Sequence, residues 1–268
     1  MHRKLFVWVM VAMSAGVAAD DGPWRIGVAT GYGERQNPLI LSDDVPIVVD
    51  LDIAWFGERW FFDNGDLGVT LHNGDKITSN LVARARSDRL FFSRTDTQLI
   101  SVSTGTAPTD PLDPDDVAEI LEVPDRDFAI EVGFEFLTDG DWGFMQFAVF
   151  QDVAGVHDGF EVAAEYGIGQ VWNRWYVETA FRATYKSEQL NDYYWGIRSS
   201  EASAVLPEYT AADGVNFGVS LGAAYHLTER WALRFGIDLE YLNDAVRDSP
   251  VVDDNQVAAY FAGLSVSF

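Results

Sequence analysis

The chain has no cysteine. That excludes structural disulfides, thiolate metal sites and thiol nucleophiles. A small exported domain would need such staples, but a chain of 268 residues can bury enough surface without them. Basic residues are scarce, with 18 Lys and Arg against 42 Asp and Glu, a net charge of −24. So acidic a chain repels phosphate backbones, and no nucleic-acid partner is expected. Long apolar runs are also missing. The longest, Leu5 to Met13, falls short of the ~20 residues a membrane helix needs. Glycines and charges interrupt every later candidate. Disorder is excluded by an apolar content of 48% with 14% aromatics.

The N-terminus has a charged start (His2, Arg3, Lys4), the short apolar run, and then small residues from Ser14 to Ala19. This is the three-part plan of a secretory signal, with Val17 and Ala19 placed for cleavage before Asp20. Residues 1–19 are therefore expected to be a signal peptide, and 20–268 one exported domain. Without Arg3 and Lys4 that domain carries 16 basic and 42 acidic residues, a net of −26.

Period-two alternation fills that domain. Trp24, Ile26, Val28, Thr30 and Tyr32 oppose Arg25, Gly27, Ala29, Gly31 and Gly33. Phe128, Ile130, Val132, Phe134 and Phe136 oppose Asp127, Ala129, Glu131, Gly133 and Glu135. The last residues, QVAAYFAGLSVSF, alternate in the same way up to a terminal Phe268. Such a pattern builds strands with one apolar face. Asp63-Asn64-Gly65-Asp66 and His72-Asn73-Gly74-Asp75 are hairpin turns, because Asn-Gly accepts positive φ.

Two features separate a membrane barrel from a soluble sandwich. Many runs reach ten or more residues, where soluble strands average ~5–6 and membrane strands need ~9–11. Aromatics also stand at both ends of the apolar faces: Trp24 and Tyr32, Trp175 and Tyr185, Trp231 and Tyr241. That is the sequence form of two interfacial girdles. The expected fold is all-β, a transmembrane antiparallel β-barrel of about 12 strands, with ten to fourteen allowed by the even-number rule. Its immediate surroundings would be outer-membrane lipid. Residues 93–126 are expected to form an exterior loop, and residues 187–213 a second irregular stretch.

The charged face cannot meet lipid, so it is assigned to the lumen. Asp127, Glu131, Glu135, Glu161 and Glu165 are set there, with Arg84, Arg86, Arg182, Lys186 and Arg234 as counter-ions. Paired carboxylates serve acid–base catalysis or a cation path. The blander reading, which carries more weight, is a salt-bridge network packing a narrow barrel. The acidic stretch DPLDPDDVAE (residues 110–119) lacks the spacing and central glycine of an EF-hand and reads as a solvated loop. His157-Asp158 has the residue types of a hydrolase dyad, but no nucleophile-elbow serine accompanies it. No cofactor is expected.

The C-terminal third resembles the MipA/OmpV family of outer-membrane proteins. The resemblance rests on Tyr193 to Gly196, Leu206 to Tyr209, the strand at Trp231, and Leu242 to Val252 with its Asp-Ser-Pro. WRIGVATGYGERQNPLI and DRDFAIEVGFEF fit the same pattern. The sequence departs from the family after Pro250, where VVDDNQ is acidic. The resemblance implies an outer-membrane barrel of Gram-negative bacteria. It also implies a non-enzymatic scaffold that brings a lytic transglycosylase together with a murein synthase. Other members are described as surface proteins or adhesins, and the acidic lumen leaves a narrow cation-preferring pore as the alternative. The family brings no catalytic residues. It further implies that the barrel-assembly machinery reads Phe268 during insertion.

Overall fold

The computed structural model describes residues 22–40, 42–92 and 126–268. The signal-type N-terminus and the acidic stretch at residues 110–119 lie outside them.

Twelve antiparallel strands close on themselves. They are β1 (Trp24–Arg35), β2 (Val45–Phe56), β3 (Trp60–Asp63), β4 (Asp66–Asn73), β5 (Thr78–Ala85) and β6 (Ile130–Gly140), then β7 (Gly143–Asp152), β8 (Phe160–Trp172), β9 (Trp175–Lys186), β10 (Gly214–His226), β11 (Trp231–Tyr241) and β12 (Gln256–Ser267). Each strand pairs with its neighbours in sequence. β1 closes the ring on β12 from Gly27↔Ser267 to Arg35↔Ala259. No edge strand is left at the seam, so the ring needs no covalent staple. Short helices are α1 (Arg89–Phe92), α2 (Glu188–Trp195) and α3 (Asp244–Arg247). None is long and apolar enough to cross a membrane.

The alternation places apolar residues outward. Ile130, Phe134 and Phe136 are exposed, while Glu131 and Glu135 on the same strand are buried. Trp24 and Trp55 make ring contact at one end of the wall, Tyr32 and Tyr260 at the other. Trp175 and Trp231 open their strands at the first end, and Tyr185 and Tyr241 stand near the second.

The two ends differ. Tight turns, the first strand's start and the last strand's end share one of them. There Asn173 takes a positive φ of 54°, as a two-residue hairpin demands. The longer connections share the other end. Short turns face the periplasm in outer-membrane barrels. These ends are termed the turn end and the loop end. β3 is the exception: it turns back at Asn64-Gly65 part-way up the wall.

The strand predicted from Phe128 begins instead at Ile130, and the segment before it is extended without a ladder. The stretch read as irregular at residues 187–213 is a packed structure. It holds the eight-residue α2 and a bridge between Ile197 and Tyr209. The reading missed it because its apolar residues follow helical spacing for only two turns.

Candidate functional site: a charge-filled lumen under an apolar cap

β5, β6 and β8 point charged side chains inward at the same height. Arg84 donates from Nε to Glu131 Oε2 at 2.9 Å and from Nη2 to Glu161 Oε1 at 2.8 Å. Arg86 donates to the other oxygens of the same two carboxylates, each at 2.7 Å. Two guanidinium forks thus clamp two carboxylates, satisfying all four oxygens. β7 runs between them, and its Phe150 ring lies 3.7 Å under the Arg84 guanidinium. A Cβ on Gly133 would fall 2.5 Å from that ring, so glycine makes room for it.

The clamp extends toward the loop end through Asp88. Its carboxylate lies 2.8 Å from Arg86 Nε and accepts from Lys186 Nζ at 2.8 Å. Burial opposes ionisation of Asp88, but Arg86 and Lys186 hold it well below the usual carboxylate range.

His157 Nδ1 accepts from the Gly159 N–H at 3.0 Å, which leaves the proton on Nε2, 3.4 Å from Glu131. Asp158 is no dyad partner. It takes a positive φ of 53°, and its N–H joins those of Ala154, Val156 and His157 on the Asp152 carboxylate.

The structure sorts the sequence-selected residues into separate groups. Arg84, Arg86, Glu131 and Glu161 form the clamp. Arg182 lies 3.6 Å from Glu165 and 3.3 Å from Asp238. Arg234 reaches Asp50 on β2 at 3.4 Å rather than the clamp. Glu135 accepts from the amides of Asn80 and Gln146. Asp127 is a correction: it precedes β6, is exposed, and its N–H donates to the Tyr193 hydroxyl. Pleat alternation cannot place a residue that lies outside the ladder. Sequence reasoning also missed Asp88, which stands beyond the end of β5, and Asp63, which sits at a turn yet is buried beside Arg25.

The loop end carries an apolar cap. Leu39, Phe91, Phe92, Leu190, Tyr194, Trp195, Ile197, Leu206, Val246 and Val251 form a buried cluster there. Polar contacts fix this cap. Ser249 Oγ donates to Trp195 O at 2.5 Å, Asn191 to Ala212 O at 2.8 Å, and Tyr209 to Ala245 O at 2.7 Å. Asn243 caps α3 and is held by Asn216 on β10. Burial and the charge of Asp88 raise the Tyr194 hydroxyl above its ordinary value, so it stays neutral. Below the cap lies a cavity of about 370 Å³, walled by the clamp, Asp66, Glu165 and Glu178.

The turn end carries an exposed apolar tip. Residues 169–175, the tip of the β8–β9 hairpin, are exposed on both faces, with Val171 and Trp172 at 76% and 74%. Phe268 sits beside the start of β1; its N–H donates to Ile26 O and its ring is 67% exposed.

A closed twelve-strand barrel with an apolar exterior, two aromatic girdles and a charged, capped interior defines an outer-membrane β-barrel. The chain belongs to the family described as MltA-interacting protein MipA, whose profile matches residues 26–268. It is 24% identical over 259 residues to the putative outer membrane protein YiaT of Escherichia coli strain K12, covering 96% of this chain and 91% of that one. It is likewise 24% identical over 280 residues to the MltA-interacting protein of the same strain, covering 99% and 98%. Among solved structures, the NanC porin aligns with a TM-score of 0.46 at 8% identity, over 91% of this chain and 100% of that one.

Proposed function

We propose that the chain, freed of residues 1–19, is a non-enzymatic outer-membrane scaffold that holds cell-wall enzymes against its periplasmic face. Its partners would be a lytic transglycosylase and a murein synthase. One observation carries the reading: the barrel is capped at its loop end and filled by paired charges, while its protruding apolar surface is at the turn end. A conduit needs a path through the cap, and the apolar cluster offers ions none. The clamp is likewise a poor catalyst. Every carboxylate oxygen in it already accepts from an arginine, and no base is left poised for a substrate.

Val171 and Trp172 stand clear of the barrel, and large exposed apolar residues on a rigid hairpin are the usual anchors of an interface. Arg59, Lys76, Arg174 and Arg230 lie on four of the tight turns around them, so this rim is far less acidic than the chain as a whole. Refolded barrel as bait in a detergent extract of the source envelope tests the reading. Selective enrichment of a lytic transglycosylase or murein synthase over an unrelated acidic barrel is expected. Equal recovery on both baits refutes it.

A further inference from the structure

The barrel wall is not of even height. β2 and β3 pair only from Ala54↔Asp63 to Phe56↔Phe61 before the chain reverses at Asn64-Gly65. Asn64 finishes that short ladder: its N–H donates to Ile53 O, and its Oδ1 accepts from Ile53 N, both at 2.9 Å. Above this tip, residues 45–52 of β2 pair with β1 on one side. On the other side they pair with nothing among the described residues. The facing bank is β5. Its ladder with β4 stops at Leu67↔Ala83, while its ladder with β6 continues to Ala85↔Ile130.

The gap lies at membrane depth. Val49, Leu51 and Ile53 pair with Thr30, Val28 and Ile26, between the Trp24 and Tyr32 girdle positions. An open sheet edge in hydrocarbon leaves backbone groups unsatisfied, and is tolerated only where it lines a polar cavity or is covered. The lumen cavity reaches the hairpin tip and the β5 bank of this gap. Asn64 and Asp66 at the hairpin tip, and Arg84 and Ala85 on the far bank, are among its walls. The apolar cap stands at the loop end of the same lumen, and its Phe91 also walls the cavity. Asp66 is partly exposed, and its carboxylate makes no hydrogen bond or ion pair among the described residues. Arg84, and then Glu135 and Glu131, lie near enough for their charges to act on it, and the Arg84 Nε and Nη2 donors are already taken by Glu131 and Glu161.

We infer that this gap is a lateral portal for an amphipathic molecule with an amine headgroup. The molecule enters from the outer leaflet, its ammonium meets Asp66, and its apolar chain stays between β2 and β5. The pocket at the hairpin tip offers acceptors, and an ammonium brings three donors and no acceptor. A sulfate or phosphate head at the hairpin tip would face Asp66 and Glu135, and the Arg84 beside them already donates to Glu131 and Glu161. The apolar chain rests against Leu51 and Ala83, outward-facing residues of the two banks, and remains in lipid.

The test uses the full barrel refolded in detergent-free bilayer discs, with a long-chain alkylamine bearing a diazirine in its chain. An alkyl sulfate of equal length is the control. Photolysis followed by peptide mapping should place amine adducts on β2 residues 48–52 and β5 residues 83–85, with few from the sulfate. Asp66→Asn should reduce them about tenfold, the effect of losing one charge-assisted hydrogen bond. The amine–sulfate comparison needs no variant, so it stands even if Asp66→Asn refolds poorly.

The wall is tested separately, since the natural chain has no thiols. Leu51→Cys with Ala85→Cys should not form a disulfide under mild oxidation, because bridged Cα atoms must lie within ~7 Å. Equal labelling by amine and sulfate, adducts spread evenly round the girdles, or ready closure of that disulfide would each overturn the portal. So would cross-linking of a photoreactive group at Leu51→Cys to the chain's own residues 93–125.

Discussion

Arg86 and Glu161 meet at 2.7 Å across the lumen although 75 residues separate them. β6 and β7 stand between their strands, so the contact crosses the lumen rather than following the ladder. Both side chains are almost fully buried, and neither charge has water to fall back on. Glu161→Gln leaves Arg84 with Glu131 alone and Arg86 with Glu131 and Asp88. The expected loss is about 3–5 kcal/mol, the usual cost of breaking a buried pair from one side. Urea unfolding of the refolded barrel, followed by tryptophan fluorescence, measures it. Glu165→Gln, on the looser 3.6 Å pair with Arg182, should cost clearly less.

The cap predicts an electrically silent barrel. Wild-type protein in planar bilayers should show no steady conductance. Trp195→Ala removes a fully buried ring that packs on Phe91 and Phe92. It should cost about 3–5 kcal/mol as a large-to-small core change, and should introduce discrete conductance steps. Steady conductance in the wild type would show that the cap does not seal.

Glu201 ties the cap to the end of the long connection by accepting from Arg126 at 2.9 Å. Burial alone would raise its pKa. Hydrogen bonds from the Arg126 side chain and the Arg198 backbone outweigh that and hold it below its ordinary 4.5. A depressed folded value means the contribution is complete above about pH 4.5 and is lost as pH falls through the lower folded value. Amide exchange at residues 196–201, corrected for intrinsic rates, should lose protection over that acid range. Glu201→Gln should be less protected at neutral pH and show no such transition.

Much of this fold was legible because a barrel strand states its two faces residue by residue. Glu131 and Glu135 fall inward and Phe134 and Phe136 outward, as their alternation requires. Three things were not legible. Alternation does not say which charge meets which across the lumen, so Arg234 was grouped with the clamp although it reaches Asp50. It does not reach past the ladder, so Asp127 was placed inside and Asp88 was overlooked. It also has no language for the cap, where Leu190, Tyr194 and Trp195 are buried by contacts with three other segments.

The expectation that Phe268 serves assembly can be tested apart from stability. Its ring is exposed and its backbone makes one bond to Ile26, so the folded barrel gains little from the side chain. Deleting it should leave the urea midpoint of refolded protein nearly unchanged while lowering the amount inserted in cells. Membrane fractionation reads the second effect. Unchanged insertion of the truncated chain would remove Phe268 as an assembly signal.

The most direct test of the scaffold reading is capture on two baits that differ only at the protruding hairpin. One is wild-type barrel and the other carries Val171→Asp and Trp172→Ala, both presented to a detergent extract of the source envelope. The account predicts that a lytic transglycosylase or murein synthase is enriched on the first bait and falls to the level of an unrelated acidic barrel on the second. Equal recovery on the two baits would contradict a partner surface on this hairpin, and recovery no better than the control on either would contradict the scaffold itself.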